Sequence, residues 1–263
     1  MRAGRSGSAV VVAATLALGA FTAPPAEAAS TGIKVWNFKL NNGKPIIVGT
    51  TAEVTPDYTF TVQWPSGSKP GDRNALPYLY HGTTAAKGAE DGSIWTSSVT
   101  YYDNGHADGE LYIEPRYRLD SNNDATTWKI AVLARIWGKD GHPKSTEYQT
   151  GFGTVRVKRA AKVTVNASPE PVVKGKKLTV TGRITRADWV KHAYTGFAGR
   201  SARLQFRKAG TSTYTNVRTV KASSTGALKT TVTAAGDGYW RWTFGETDTT
   251  GGATAAGDYV DVK

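Results

Sequence analysis

The chain contains no cysteine. That excludes disulfides, a thiol nucleophile, Cys-ligated zinc, iron–sulfur clusters and a lipid-modified N-terminal cysteine. Stability must then come from a hydrophobic core. Beyond residue 29 no apolar run approaches the roughly 20 residues that cross a bilayer. No segment combines helical period with helical length. The motifs of the common enzyme classes are also missing. There is no Gly-x-Ser-x-Gly elbow, no His-Glu-x-x-His helix, no phosphate-binding Gly-rich loop and no dinucleotide fingerprint. The four histidines, His81, His106, His142 and His192, stand far apart in loop-like sequence and read as exposed loop residues. These absences exclude no reaction, but they favour a non-catalytic protein.

The first 29 residues are expected to lie outside the fold. Arg2 and Arg5 make a positive start, residues 9–20 are apolar, and Ala26-Glu-Ala28 is a small-residue cleavage pattern. This is a secretory signal peptide. The absence of an Arg-Arg pair points to the general secretion route. The C-terminus carries neither an apolar tail nor a wall-sorting motif, so the mature chain is expected to be freely secreted.

What is present is alternation. In Gly238-Tyr-Trp-Arg-Trp-Thr-Phe244 the rings of Trp240, Trp242 and Phe244 fall on alternate positions, with Tyr239, Arg241 and Thr243 between them. A period of two is the strand period, so one face is aromatic and the other polar. Three large rings on one face suit a central strand packed against a second sheet. Leu178, Val180 and Ile184 alternate in the same way with Thr179, Thr181 and Arg183. Gly182 falls on the buried face, where a large ring from a neighbour is expected to approach. Leu204 and Phe206 point in, Arg203 and Arg207 out. Seven such strands follow residue 162, in the number and spacing of an immunoglobulin-like sandwich.

Upstream, Tyr58, Phe60, Val62 and Trp64 share one face. About eight short strands between residues 33 and 158 suggest another sandwich. Residues 77–81 are expected to form a short edge strand, residues 85–92 a loop, and residues 93–102 and 109–119 two strands around a turn at 103–106. The expected architecture is all-β: two tandem immunoglobulin-like β-sandwich domains, at 30–158 and 162–263, after a cleaved signal peptide at 1–29. Residues 188–197 break the even spacing. Trp189, Tyr194 and Phe197 there are expected to cap the core of their own domain; binding at a sandwich end is the alternative.

Charge is uneven. Residues 30–158 carry 14 basic and 13 acidic residues, a net of +1. Residues 159–263 carry 17 and 7, a net of +10. Such asymmetry suggests that the second half meets an anionic partner. Arg183, Arg203, Arg207, Lys229 and Arg241 all take the outward parity of their strands. If those strands are neighbours, the five form one patch, since arginine pairs bidentately with phosphate. Export makes an anionic envelope polymer the expected partner rather than nucleic acid. No membrane span and no disulfide-linked partner is expected.

Pro169-Glu-Pro171, Lys174-Gly-Lys-Lys177, Leu178-Thr-Val-Thr-Gly-Arg183, Leu204-Gln-Phe-Arg-Lys208 and Gly238-Tyr-Trp-Arg-Trp242 together resemble exported actinobacterial proteins with an immunoglobulin-like or fibronectin-like C-terminal domain. The resemblance implies the sandwich fold for residues 162–263 and no catalytic residue. Some members bear a loose calcium-binding label.

Calcium is the one cofactor the residues suggest. Asp120, Asn122 and Asp124 place oxygens at alternate positions, as an EF-hand loop begins. The pattern then fails, because Ala125 and Ala131 occupy the positions of its Gly and its Glu. Asp103, Asp108 and Glu110 make a second oxygen-rich turn. Glu110 and Glu114 share a face if one strand runs through both, yet two carboxyls on one strand rarely flank a cleft. The function these features favour is a secreted, non-catalytic binding protein that contacts anionic polymer through its C-terminal domain. A calcium-binding extracellular module, or an enzyme without a recognisable motif in the N-terminal domain, are the alternatives.

Overall fold

The computed structural model describes residues 30–263. The signal-peptide reading falls outside the described residues. The first nine strands are β1 (Lys34–Leu40), β2 (Ile46–Val48), β3 (Asp57–Gln63), β4 (Arg73–Tyr80), β5 (Ile94–Tyr101), β6 (His106–Leu111), β7 (Thr127–Trp137), β8 (Pro143–Gln149) and β9 (Thr154–Arg159). Their order is β1-β3-β6-β5-β4-β7-β9-β2, with β8 on β7. Strands β5 and β4 meet at only two residue pairs, Tyr78 with Trp95 and Leu79 with Ile94. At that corner the path turns over into two layers, β1-β3-β6-β5 and β4-β7-β9-β2. This is the strand order of an immunoglobulin-like sandwich. Tyr58, Phe60, Leu79, Ile94, Trp128, Ile130 and Val132 fill the space between the layers.

Strand β4 is longer than the edge strand expected from Pro77, and it pairs with β7 along its whole length. Proline is tolerated because the other side of β4 is open except at the corner. The expected loop at 85–92 contains a short helix, α1 (Ala85–Glu90), capped by the Thr84 hydroxyl. It covers Tyr78, Tyr80, Ala131 and Leu133 on the outer side of β4 and β7. That cover explains why the middle of β7, Ile130 to Ala134, is continuously apolar: both of its faces are buried there. Strand β6 stops at Leu111, and Glu114 instead caps a single helical turn, α2 (Pro115–Arg118). The expected strand over 109–119 is therefore half as long, and Glu110 and Glu114 do not share a strand face.

The remaining strands are β10 (Ala161–Ser168), β11 (Lys177–Asp188), β12 (Ala193–Gly196), β13 (Ser201–Lys208), β14 (Thr215–Lys221), β15 (Ala227–Thr233), β16 (Gly238–Phe244), β17 (Ala253–Thr254) and β18 (Asp258–Val260). One sheet runs β10-β11-β12, with β15 also on β11; the other runs β14-β13-β16-β17, with β18 on β16. Taking β17 and β18 as one broken last strand and β12 as an addition, seven strands make an immunoglobulin-like sandwich. The aromatic strand β16 lies between β13 and the last strand, with Trp240, Trp242 and Phe244 buried. The approach expected at Gly182 is present. A Cβ there would meet the Thr164 carbonyl and lie 2.7 Å from Trp242 Cδ1. The indole N–H of Trp242 donates to the Thr181 carbonyl at 3.0 Å.

The two sandwiches are joined without a loop. Strand β9 ends at Arg159 and β10 begins at Ala161. The Ala160 N–H donates to Val48, and the Ala160 carbonyl accepts from Ala187. Strand β11 carries the chain back to this junction. Trp189, one residue past its end, is fully buried and belongs to the core of the first sandwich. Its indole N–H donates to the Gly49 carbonyl at 2.8 Å, and its backbone N–H to Asn122 Oδ1 at 3.0 Å. Asn122 Nδ2 in turn donates to Asp188 Oδ1 at 3.0 Å. The rings of residues 188–197 thus do not simply cap their own core: Trp189 enters the neighbour's, and Phe197 stays in its own.

Candidate functional surfaces

The five outward basic residues do not form one patch. Arg183 on β11 and Lys229 on β15 belong to one sheet, where Arg183 pairs with Ala227 and Lys229 with Thr181. Arg203 and Arg207 on β13 and Arg241 on β16 belong to the other, with Gln205 opposite Arg241. The sandwich core separates the two groups. Parity settles that a side chain points out, but not from which of two sheets.

Each face is nevertheless basic. On the β10-β11-β15 face the outward positions include Lys162, Lys177, Arg183 and Lys229 among threonines, with no carboxylate. On the β14-β13-β16 face they include Arg203, Arg207, Arg241 and Lys221 with Ser201, Gln205, Tyr239 and Thr243, and these three strands place no carboxylate there. The acidic residues of this half lie at turns and strand ends. Asp258 accepts the Ala167 N–H, and Asp237 accepts the Val262 N–H.

The second face is also ordered by its rings. Arg241 Cζ lies 3.6 Å from the Tyr214 ring centre and Arg207 Cζ 4.0 Å from that of Tyr239. Tyr239 and Tyr259 stand 5.1 Å apart. Cation–π contact and the bond from Arg241 Nε to Gln205 Oε1, at 2.8 Å, fix these guanidinium planes. On the first face Arg183 is held by the Thr225 carbonyl at 3.0 Å. Both faces present charge on a rigid support.

Of the calcium-type residues, Asn122 serves the packing at the junction and Asp124 the turn beside it. Both Asn122 side-chain atoms bond across the junction. Asp124 Oδ2 accepts the Ser121 N–H at 3.1 Å, closing a capping box. Its other oxygen lies 3.6 Å from His81 Nε2. Burial pushes the Asp124 carboxyl above its usual range, against the opposing effect of Ser121 and His81. Asp120, Asp124 and His81 line one cleft of about 290 Å³. Asp108 of the second oxygen-rich turn accepts from the Tyr102 hydroxyl at 3.1 Å. Among the described residues no group of three or more His, Asp or Glu side chains is placed to hold a metal ion. His81 is more than a loop histidine, because its ring meets Trp128 edge-on at 4.4 Å. Sequence spacing gives no sign of that contact.

The junction carries its own electrostatics. Burial pulls the Arg159 guanidinium down to about 10, with Arg186 adding to the effect and Asp188 opposing it. For Asp188 burial acts upward, but the bonds from Asn122 and the Lys191 N–H and the nearby Arg159 outweigh it. Its carboxyl lies below the usual range.

No family model matches the chain, and no curated protein matches it. Among solved structures, the chain is similar to the fibronectin(III)-like modules of Clostridium thermocellum CbhA, at 13% identity over 86% of this chain and 92% of that one, with a TM-score of 0.28. It is similar to the D0-D1 domain of Intimin at 14% identity, over 86% and 98%, with a TM-score of 0.26. It is similar to the three N-terminal domains of the bacteriophage RB49 outer capsid protein Hoc at 9% identity, over 88% and 70%, with a TM-score of 0.32. The immunoglobulin-like assignment rests on strand order and register. Among the described residues no helix is long and apolar enough to cross a membrane.

Proposed function

We propose that the mature chain is a secreted, non-catalytic binding protein whose C-terminal sandwich contacts an anionic polymer of the cell envelope. The observation that carries this reading is the sorting of charge: basic side chains occupy the outward strand positions of both sheets, and carboxylates do not. A linear polyanion lying across β10-β11-β15 or across β14-β13-β16 meets several cations, and the Asp237 and Asp261 carboxylates stand only beside Tyr259 at the last strand. Arginines braced by tyrosines lose little side-chain freedom on pairing with phosphate or carboxylate. The division of the basic residues makes this a two-faced binder, able to lie between two strands of polymer.

The test is cosedimentation of the mature protein with purified cell walls across a salt series, beside walls stripped of anionic polymer. Binding to intact walls that weakens steadily as salt rises is the expected result. R183Q/K229Q and R203Q/R207Q/R241Q separate the faces, and each is expected to lower binding partially. Absence of binding at low salt sinks the proposal. Binding that ignores salt does the same.

A further inference from the structure

The first sandwich carries a groove that the electrostatic reading leaves unused. It lies where the end of β3 meets the turn between β5 and β6, and its volume is about 670 Å³. That is within the range of about 300–1,000 Å³ typical of small-ligand sites. Its rim holds two large exposed rings, Trp36 at 41% and Tyr102 at 46% exposure. Neither is an accident of fraying. Trp36 precedes a bulge in β1, where Asn37 has a φ of +53° and the pairing with β3 shifts register. The bulge keeps Trp36 outward while Phe38 and Leu40 turn in. Tyr102 is fixed by its hydroxyl, which donates to Asp108 at 3.1 Å.

The floor is rigid. Trp64 meets Tyr101 edge-on at 5.0 Å, and the Arg73 guanidinium lies 4.6 Å from the Trp64 ring centre. Arg73 is itself held by the Ser68 carbonyl and hydroxyl. Gln63 and Asp103 also line the groove. Among the described residues no hydrogen bond engages either side chain.

We propose that this groove binds a neutral, β-linked hexopyranose chain. Three features select that ligand. The equatorial linkages of such a chain leave flat C–H faces that stack on exposed indole and phenol planes. Its hydroxyls need donors and acceptors beside those planes, and Gln63, Asp103 and Arg73 supply both kinds. One carboxylate and one guanidinium leave the groove with balanced charge, unlike the basic faces of the second sandwich, so a polyanion gains nothing here. A protein partner fits worse, because stable protein interfaces bury about 800 Å² and use about 20–30 residues per side, and this groove is lined by 13.

The experiment is calorimetric titration of the full mature chain with four hexamers: β-1,4-linked glucose, mannose and N-acetylglucosamine, and β-1,3-linked glucose. At least one is expected to bind, with an affinity that salt does not change. Trp36→Ala and Tyr102→Ala are each expected to weaken binding by about tenfold or more. Trp36 is largely outside the core, so the melting temperature of Trp36→Ala checks that the fold is kept. Should that variant fail to fold, Gln63→Ala takes its place, with weaker binding again expected. No binding of any hexamer at millimolar concentration overturns the proposal. Binding unaffected by all of the folded variants also overturns it. Because the wall assay is salt-sensitive and this one is not, either proposal can fail without the other.

Discussion

The two sandwiches share a strand plan and differ in almost everything on their surfaces. The first is nearly neutral, with 14 basic and 13 acidic residues; the second carries 17 and 7. The first covers the outside of β4 and β7 with α1 and an apolar cluster. The second leaves one outer face to threonine, lysine and arginine and the other to arginines braced by Tyr214 and Tyr239. The first borrows Trp189 from the segment that follows β11 and packs Tyr194 of β12 against its core, whereas Phe197 stays in the second. One architecture therefore supports two surface chemistries, because outward positions are constrained by packing only where a further element covers them, as α1 covers β4 and β7.

That asymmetry can be broken at Trp189. Trp189→Ala removes a fully buried indole from the first sandwich although the residue belongs to the second stretch of chain. The expected loss is about 3–5 kcal/mol, with hydrogen exchange rising in β2 and β7 and little change in β16. Exchange that rises only in the second sandwich would show that the ring serves its own core. Gly182→Ala does the opposite. The added Cβ meets the Thr164 carbonyl and Trp242, so about 1–3 kcal/mol of strain is expected, confined to the second sandwich and read by near-ultraviolet circular dichroism of its tryptophans. Asn122→Ala leaves the Trp189 N–H without its partner and Asp188 Oδ1 with the Lys191 N–H alone. It is expected to cost about 1–3 kcal/mol and to lower the melting temperature of both sandwiches together. The smallest effect concerns pH. The Asp188 carboxyl is held below its ordinary 3.8 in the folded chain. Its contribution is complete above that ordinary value and is lost as pH falls through the folded one. Asp188→Asn keeps the oxygen acceptor and removes the titration. Thermal melts of this variant are expected to show a shallower decline below pH 4 than the parent.

Much of this was legible from period two. Trp240, Trp242 and Phe244 alternate because one strand face meets the core, and Gly182 stands where Trp242 needs room. The burial of β7 on both faces left no mark in the sequence, since α1 is too short to show a helical period. Trp189 was hidden by parity. Leu178, Val180 and Ile184 mark the even positions of β11 as inward, while Ala187 and Trp189 are odd. At the junction the outward face of β11 becomes a buried one, and the available signal was apolar residues on the polar parity. The basic patch failed for a related reason: β11 with β15 and β13 with β16 have the same parity but opposite sides of the core.

The shared strand β11 has a further consequence for avidity. Twelve residues run unbroken from the second core to the junction, a span of about 40 Å at the usual rise of a strand. A flexible tether lets two binding surfaces meet ligands at many separations and angles. A stiff strand permits a narrow range. Once one surface is engaged, the other acts at an effective concentration set by this fixed spacing. It is high for polymers that match the spacing and near zero for those that do not. With both proposed surfaces in use, the molecule would discriminate by the arrangement of its targets as well as by their chemistry, and a glycine-rich insertion after Arg159 would relax that discrimination.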